Sequence, residues 1–92
     1  MTVKTILATY QEVVARKKLT PGQQKALLAA IELFAKQGYD ATSTAQIASW
    51  AHISEGTIFK YYPSKEQLLL AVVELLTNDL LPQLQAEFLA KV

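Results

Sequence analysis

The sequence writes a helix start three times in one form: Thr20-Pro21-Gly22-Gln23, Ser43-Thr44-Ala45-Gln46 and Ser64-Lys65-Glu66-Gln67. In each, a hydroxyl residue precedes a glutamine by three positions. At that spacing the two side chains satisfy backbone N–H groups that the first turn of a helix leaves free. Pro21 stands at the first helical position, where a missing N–H costs nothing. Three such starts, with Gly38, Pro63 and Pro82 as stops, cut the chain into short helices and point to an all-α class.

Beyond the first start, Leu27, Ile31, Phe34 and Ala35 recur at helical spacing, with Lys25, Glu32, Lys36 and Gln37 turned elsewhere. The pattern predicts a helix near 22–37, ended by Gly38. The loop "YDAT" leads to a helix over 44–51 with Ile47, Ala48 and Ala51 on its inner face. Two turns are not stable alone, so neighbours must hold it. In "AHIS", Ala51 and His52 end that helix, Ile53 points inward, and Ser54 caps a helix near 55–62 that Pro63 closes. Two short helices joined by such a turn form a helix-turn-helix, whose second helix is shaped to enter a DNA major groove. That second helix spends Gly56 in its first turn at about 1 kcal/mol relative to Ala, which packing alone does not require.

A fourth helix over 65–81, ending at Pro82, carries Leu68, Leu69, Leu70, Val72, Val73, Leu75, Leu76, Leu80 and Leu81 on more than one face. It is expected to pack against a further domain, a second copy of the chain, or both. Leu84, Phe88 and Leu89 suit another amphipathic helix. Val3, Ile6, Leu7, Tyr10 and Val14 suit a leading one.

At 92 residues the chain is one small domain with a modest core. It has no cysteine, hence no disulfide staple, thiol chemistry or thiolate metal site. The N-terminus lacks the apolar block of a signal peptide, and no run approaches a membrane span. A soluble protein of the cytoplasm with no membrane partner is therefore expected. Net charge is +1, but residues 1–65 hold eight Lys or Arg against four Asp or Glu, whereas 66–92 hold Lys91 against four acids. This asymmetry suggests that the first part meets something anionic. Catalysis has little to work with: His52 is the single histidine, and no nucleophile, base and orienter can be assembled. Neither an enzyme nor a cofactor is expected.

The segment "LLAAIELFAKQGYDATSTAQIASWAHISEGTIFKYYPSKEQLLLAVV" resembles the N-terminal DNA-binding domain of TetR-family transcriptional regulators. Its parts arrive in order over about 50 residues: Gly38-Tyr39, Thr42-Ser43-Thr44, Ile47-Ala48, Ser54, Gly56-Thr57-Ile58-Phe59, Tyr61-Tyr62 and Ser64-Lys65-Glu66-Gln67-Leu68. The resemblance implies a three-helix, homeodomain-like helix-turn-helix over 20–66, after an N-terminal extension at 1–19. Residues 67–92 would form a linking helix and the start of a C-terminal effector and dimerisation domain. It also implies a homodimer that represses transcription from an inverted-repeat operator in double-stranded DNA, with a small-molecule effector only where that C-terminal domain is present. The chain departs from the family pattern at His52, which stands where Gly is usual, and at Phe59, which often is Tyr. The runner-up reading is a protein-interaction module that uses the apolar fourth helix and leaves its helix-turn-helix idle.

Within the resemblance, Lys60 and Lys65 are the expected phosphate ligands. Thr44, at the start of the 44–51 helix, matches a family position that binds phosphate, and Ser54 combines capping with a possible phosphate contact. Glu55, Gly56 and Thr57 open the recognition helix. Gly56 permits close approach, Thr57 meets a base or a phosphate, and Glu55 either accepts from cytosine or simply favours the helix start. Tyr61 matches a backbone-contacting position, and Gln46 can reach a base beside its capping role. Phe59 is divided between packing and apolar contact with DNA, while Ile58 and Tyr62 are assigned to the core. Trp50 is expected at the edge of its helix. Arg16-Lys17-Lys18 reads either as a basic arm or as a solvated charge run.

Overall fold

A computed structural model of the chain describes residues 3–91, with the side chains of 3–7, 79, 80, 87 and 91 outside the description. Six α-helices run in the order α1 (Val3–Arg16), α2 (Pro21–Gln37), α3 (Thr44–Ala51), α4 (Glu55–Tyr61), α5 (Lys65–Leu75) and α6 (Leu81–Lys91). A five-residue π turn, Leu76–Leu80, joins the last two. No strand occurs among the described residues. The fold class is all-α, and no described helix is long and apolar enough to cross a membrane.

The local signals act through their expected chemistry. Thr20 and Ser43 each form a complete capping box, with the hydroxyl accepting from the backbone of Gln23 or Gln46 and the glutamine returning the bond. At Ser64 only the hydroxyl half of the box is formed, accepting from Gln67 N. Gly38 ends α2 at φ 90°, a conformation that side chains rarely adopt, and donates to the Phe34 carbonyl. His52 closes α3 in the left-handed region, φ 58° and ψ 41°, and is the one non-glycine residue with positive φ among the described residues. Tyr62, ahead of Pro63, is pushed to extended backbone and α4 stops there.

Among the described side chains the core draws at least one residue from every helix except α6: Tyr10 and Val14 of α1, Leu27 and Ala30 of α2, Ile47 of α3, Ile58 of α4, Leu68 and Val72 of α5. Burying each large aliphatic side chain contributes roughly 1.5–3 kcal/mol, which is what keeps the two shortest helices, α3 and α4, in place. The expected stripe on α2 shifts in register. Ala26, Leu27, Ala30 and Leu33 are buried, Ile31 and Phe34 are partly buried, and Ala35 faces solvent. Small alanines let α2 lie close to its neighbours, so its apolar face is narrower in volume than in count.

The expected stop at Pro82 is corrected. The helical path continues through it, because the Leu81 N–H bonds the Leu76 carbonyl, five residues back. The wider π register places Pro82 in the first turn of α6, where no intrahelical N–H is needed. Leu68, Val72 and Leu75 of α5 are buried, whereas Leu70, Val73 and Leu81 are exposed. Of the other residues named for these stripes, Val3, Ile6, Leu7 and Leu80 have side chains outside the described residues.

Candidate nucleic-acid interface

The two flanks of α4 differ sharply. Ile58 is fully buried and Tyr62 nearly so, which aims this side at the core. Ser54 caps the helix by accepting from Thr57 N at 3.1 Å, and its Oγ lies 2.8 Å from Thr57 Oγ1, so the two hydroxyls share one hydrogen bond and one hydroxyl proton is left over. The Thr57 methyl turns toward the start of α2. A Cβ on Gly22 would come within 3.1 Å of it and 3.4 Å of the Tyr61 ring. Gly22 thus marks a close approach of α2 to α4 as well as a helix start.

Glu55, Gly56, Phe59 and Lys60 make up the outward face. A Cβ on Gly56 would meet only Ser54 Oγ, at 3.8 Å, so nothing inside the protein demands glycine there. Phe59 is 43 % exposed, a large apolar ring left in solvent on that face. The Lys60 ammonium lies 5.4 Å from the half-buried Tyr61 ring, within the range of a cation–π contact.

Beside α4, the Thr44 hydroxyl of α3 donates to Glu55 Oε2 at 2.7 Å. Gln46 is tied inward through its side-chain oxygen, which accepts from Ser43 N at 3.0 Å and from Gln37 Nε2 at 3.1 Å. Only its amide NH2 is left to face a partner. Lys65 has an internal role that sequence reasoning missed. Its Nζ donates to the carbonyls of Tyr39 at 2.8 Å and Thr42 at 3.0 Å, and sits 4.0 Å from the centre of the Tyr39 ring. An ammonium has three protons, so one is left for a further acceptor. An open groove of about 620 Å³ brings Thr44, Gln46, Phe59, Ser64 and Lys65 onto one surface.

Thr42, buried in the α2–α3 turn, donates to the Gly38 carbonyl at 2.7 Å and accepts from Gln37 Nε2 at 3.2 Å. This turn is what Lys65 grips. Glu66, next to Lys65, is held below the ordinary carboxylate range by its own backbone N–H and by the Ser64 hydroxyl. Burial pushes the Tyr62 phenol up, opposed in part by a hydrogen bond with Gln23. Trp50 is half exposed on α3, its Nε1 donating to Glu32 of α2 at 2.7 Å and its ring 5.2 Å from Lys36 Nζ. Arg16 is bonded to the Glu12 carbonyl and to Gln83 of α6, which ties it to the end of the molecule built by α1 and α6. Among the described residues no three His, Asp or Glu side chains gather as metal ligands.

The arrangement offers an exposed short helix with a bare backbone at its start, flanked by hydroxyl groups and lysines. The family model described as bacterial regulatory proteins, tetR family, matches residues 26–72, from α2 to the middle of α5. The chain is 34 % identical over 76 residues to the HTH-type transcriptional repressor Rv3405c of Mycobacterium tuberculosis, covering 78 % of this chain and 40 % of that protein. It is 35 % identical over 72 residues to the HTH-type transcriptional regulator RutR of Escherichia coli K12, covering 77 % and 34 %. Identity reaches 48 % over 44 residues with the uncharacterized HTH-type transcriptional regulator YuxN of Bacillus subtilis, covering 48 % of this chain and 15 % of that one. The chain thus spans well under half the length of these relatives. No solved structure matches it significantly.

Proposed function

We propose, for a chain that belongs to the tetR family of bacterial regulatory proteins, that residues 20–66 bind double-stranded DNA sequence-specifically with α4 in the major groove. The observation that carries this reading is the outward face of α4. Gly56 is open to solvent where packing asks for no glycine, and it lies between the exposed side chains of Glu55, Phe59 and Lys60. Such a face lets backbone and side chains approach base edges together.

In this reading Lys60, Tyr61, the free backbone N–H at Thr44 on the start of α3, the hydroxyl proton left over from the Ser54–Thr57 pair and the third proton of Lys65 hold the phosphates on either side, and Gln46 lends its amide NH2. Thr57 acts mainly by holding α4 against Gly22. Phosphate contacts fix register, and the outward face of α4 reads sequence. A homodimer would set two copies of α4 about 34–36 Å apart, one helical turn of DNA, and so read an inverted repeat. Occupying a promoter in this way represses transcription. The name of the relative Rv3405c, a transcriptional repressor, supports that sense of regulation. Release by a small molecule belongs to a C-terminal domain of a longer protein. The exposed Leu70, Val73, Leu81, Phe88 and Leu89 favour further packing along α5 and α6 in that context.

Selection of bound duplexes from a randomised pool at moderate salt tests the proposal. An enriched inverted repeat is the expected result. Binding without any enriched sequence, or no binding at all, would overturn it.

A further inference from the structure

We infer that Glu55 is a specificity-determining residue that selects cytosine in each half-site, and that Thr44 is the residue that positions it. This inference rests on the reading of α4 as the recognition helix. Four residues face outward from α4, and of these only Glu55 and Lys60 carry hydrogen-bonding side chains; the Ser54 and Thr57 hydroxyls beside them share one hydrogen bond, and the Thr57 methyl is turned toward Gly22. Lys60, one turn further along, leans over the Tyr61 ring. Glu55 therefore opens the reading face alone. Its Oε2 is fixed by the Thr44 hydroxyl at 2.7 Å, and its Oε1 has no hydrogen bond among the described residues.

A carboxylate only accepts hydrogen bonds. In the major groove guanine offers N7 and O6 and thymine offers O4, all acceptors, so both repel it. Adenine places its N6 amino group beside the N7 lone pair, whereas the N4 amino group of cytosine neighbours only a C–H. Cytosine is the base whose edge matches a lone carboxylate oxygen. Rejection strengthens the choice, since a carboxylate in an anionic groove is left unpaired at guanine and thymine and meets the N7 lone pair at adenine. The Thr44 bond matters because it crosses from α3 to α4 and immobilises a flexible side chain before DNA arrives. Thr44 thus does more than start α3.

The test compares motifs selected from a randomised duplex pool by the chain and by Glu55→Gln, followed by affinities for duplex pairs that differ at one position. The wild-type chain should prefer cytosine at one position of each half-site by about five- to tenfold. Glu55→Gln should move that position toward adenine, whose N6 and N7 suit an amide's donor and acceptor. Thr44→Val, which keeps the shape and removes the donor, should lower the cytosine preference by about two- to tenfold. Because the readout is a ratio of affinities, loss of a phosphate contact, which weakens both duplexes alike, does not imitate this effect. An unchanged motif in Glu55→Gln, with circular dichroism showing the variant folded, would overturn the role of Glu55. An unchanged ratio in Thr44→Val would overturn the positioning role of Thr44. A wild-type chain that enriches no motif would overturn the inference together with the recognition-helix reading beneath it.

Discussion

Replacing Lys65 by Met removes the ammonium and keeps most of the stem, isolating what its charge does. Two backbone carbonyls, those of Tyr39 and Thr42, then lose a donor at 2.8 and 3.0 Å, and the Tyr39 ring loses a cation at 4.0 Å. A hydrogen bond from a charged group contributes about 1.5–3 kcal/mol, and a cation–π contact at a partly exposed site about 0.5–1 kcal/mol. The full sum overstates the loss, because the turn carries the exposed residues Asp40 and Ala41 and water can reach the freed carbonyls. Discounting for that solvation leaves a cost of about 2–3 kcal/mol. A chain of this size has a total stability of about 5–14 kcal/mol, so the loss is a large fraction. The expected fall in Tm is about 10–20 °C.

Urea unfolding, followed in parallel by Trp50 fluorescence and far-ultraviolet circular dichroism, measures this directly. Lys65→Arg should fall between the two, because the charge survives but a planar fork replaces a compact point donor. A Lys65→Met variant within about 0.5 kcal/mol of wild type would refute the claim that this lysine holds the α2–α3 turn, since a surface lysine gives that result.

Lys60→Ala should weaken DNA binding across all sequences and reduce the slope of log K against log salt by about one, read by anisotropy titrations at several salt concentrations. An unchanged slope removes Lys60 from the phosphate contacts. His52→Gly should stabilise the domain by about 0.5–1 kcal/mol in the same urea assay, because glycine relieves the left-handed backbone at φ 58°. Alkaline unfolding should involve Tyr10, whose phenol burial pushes up, with nearby Tyr62 adding to the shift. An unfolded phenol ionises near its ordinary value of 10.0 and the folded one resists, so stability is complete below that value and declines as pH rises past it. Tyr10→Phe should flatten this decline, and an identical alkaline profile in the variant would exclude Tyr10 as its source.

What is legible in the sequence is what is local. A capping box spans four residues, so the starts at Thr20 and Ser43 can be read without knowing where anything else lies. Gly38, His52 and Pro63 act through their own backbone and are equally readable. Interactions that join distant segments leave no such trace. Lys65 reaches carbonyls 23 and 26 residues away, and a backbone carbonyl carries no residue identity for a pattern to detect. Gly22 looks like part of a helix start, and only the proximity of Thr57 and Tyr61 shows that its missing side chain also lets α4 approach. The pairing of Thr44 with Glu55, eleven residues apart, depends on the angle between α3 and α4, which the turn at His52 sets. Pro82 misleads for the opposite reason. It is a sound local stop signal, but a π turn a few residues earlier shifts the register and removes the conflict.

These nonlocal contacts determine how motion of α5 can reach α4. Lys65 grips the α2–α3 turn from the first turn of α5, and Leu68, less than one turn later, is fully buried in the core that also holds Ile47 and Ile58. Bonds of 2.8 and 3.0 Å tolerate only a few tenths of an ångström before they weaken. A tilt of α5 larger than the flexible Lys65 stem absorbs therefore either carries the α2–α3 turn, and α3 with it, or breaks both bonds. Moving α3 also moves Thr44, and with it the support of Glu55 on α4. The π turn at Leu76–Leu80 lies beyond this grip, where Thr77 Oγ1 already bonds the Val73 carbonyl at 3.0 Å and the helix departs from α register. Bending there changes the direction of α6 without disturbing Lys65, because π turns concentrate deformation within a helix. A tilt of α5 thus reaches α3 through Lys65 as well as through the core that Leu68 shares with Ile47 and Ile58, while Arg16 and Gln83 tie α6 separately to α1.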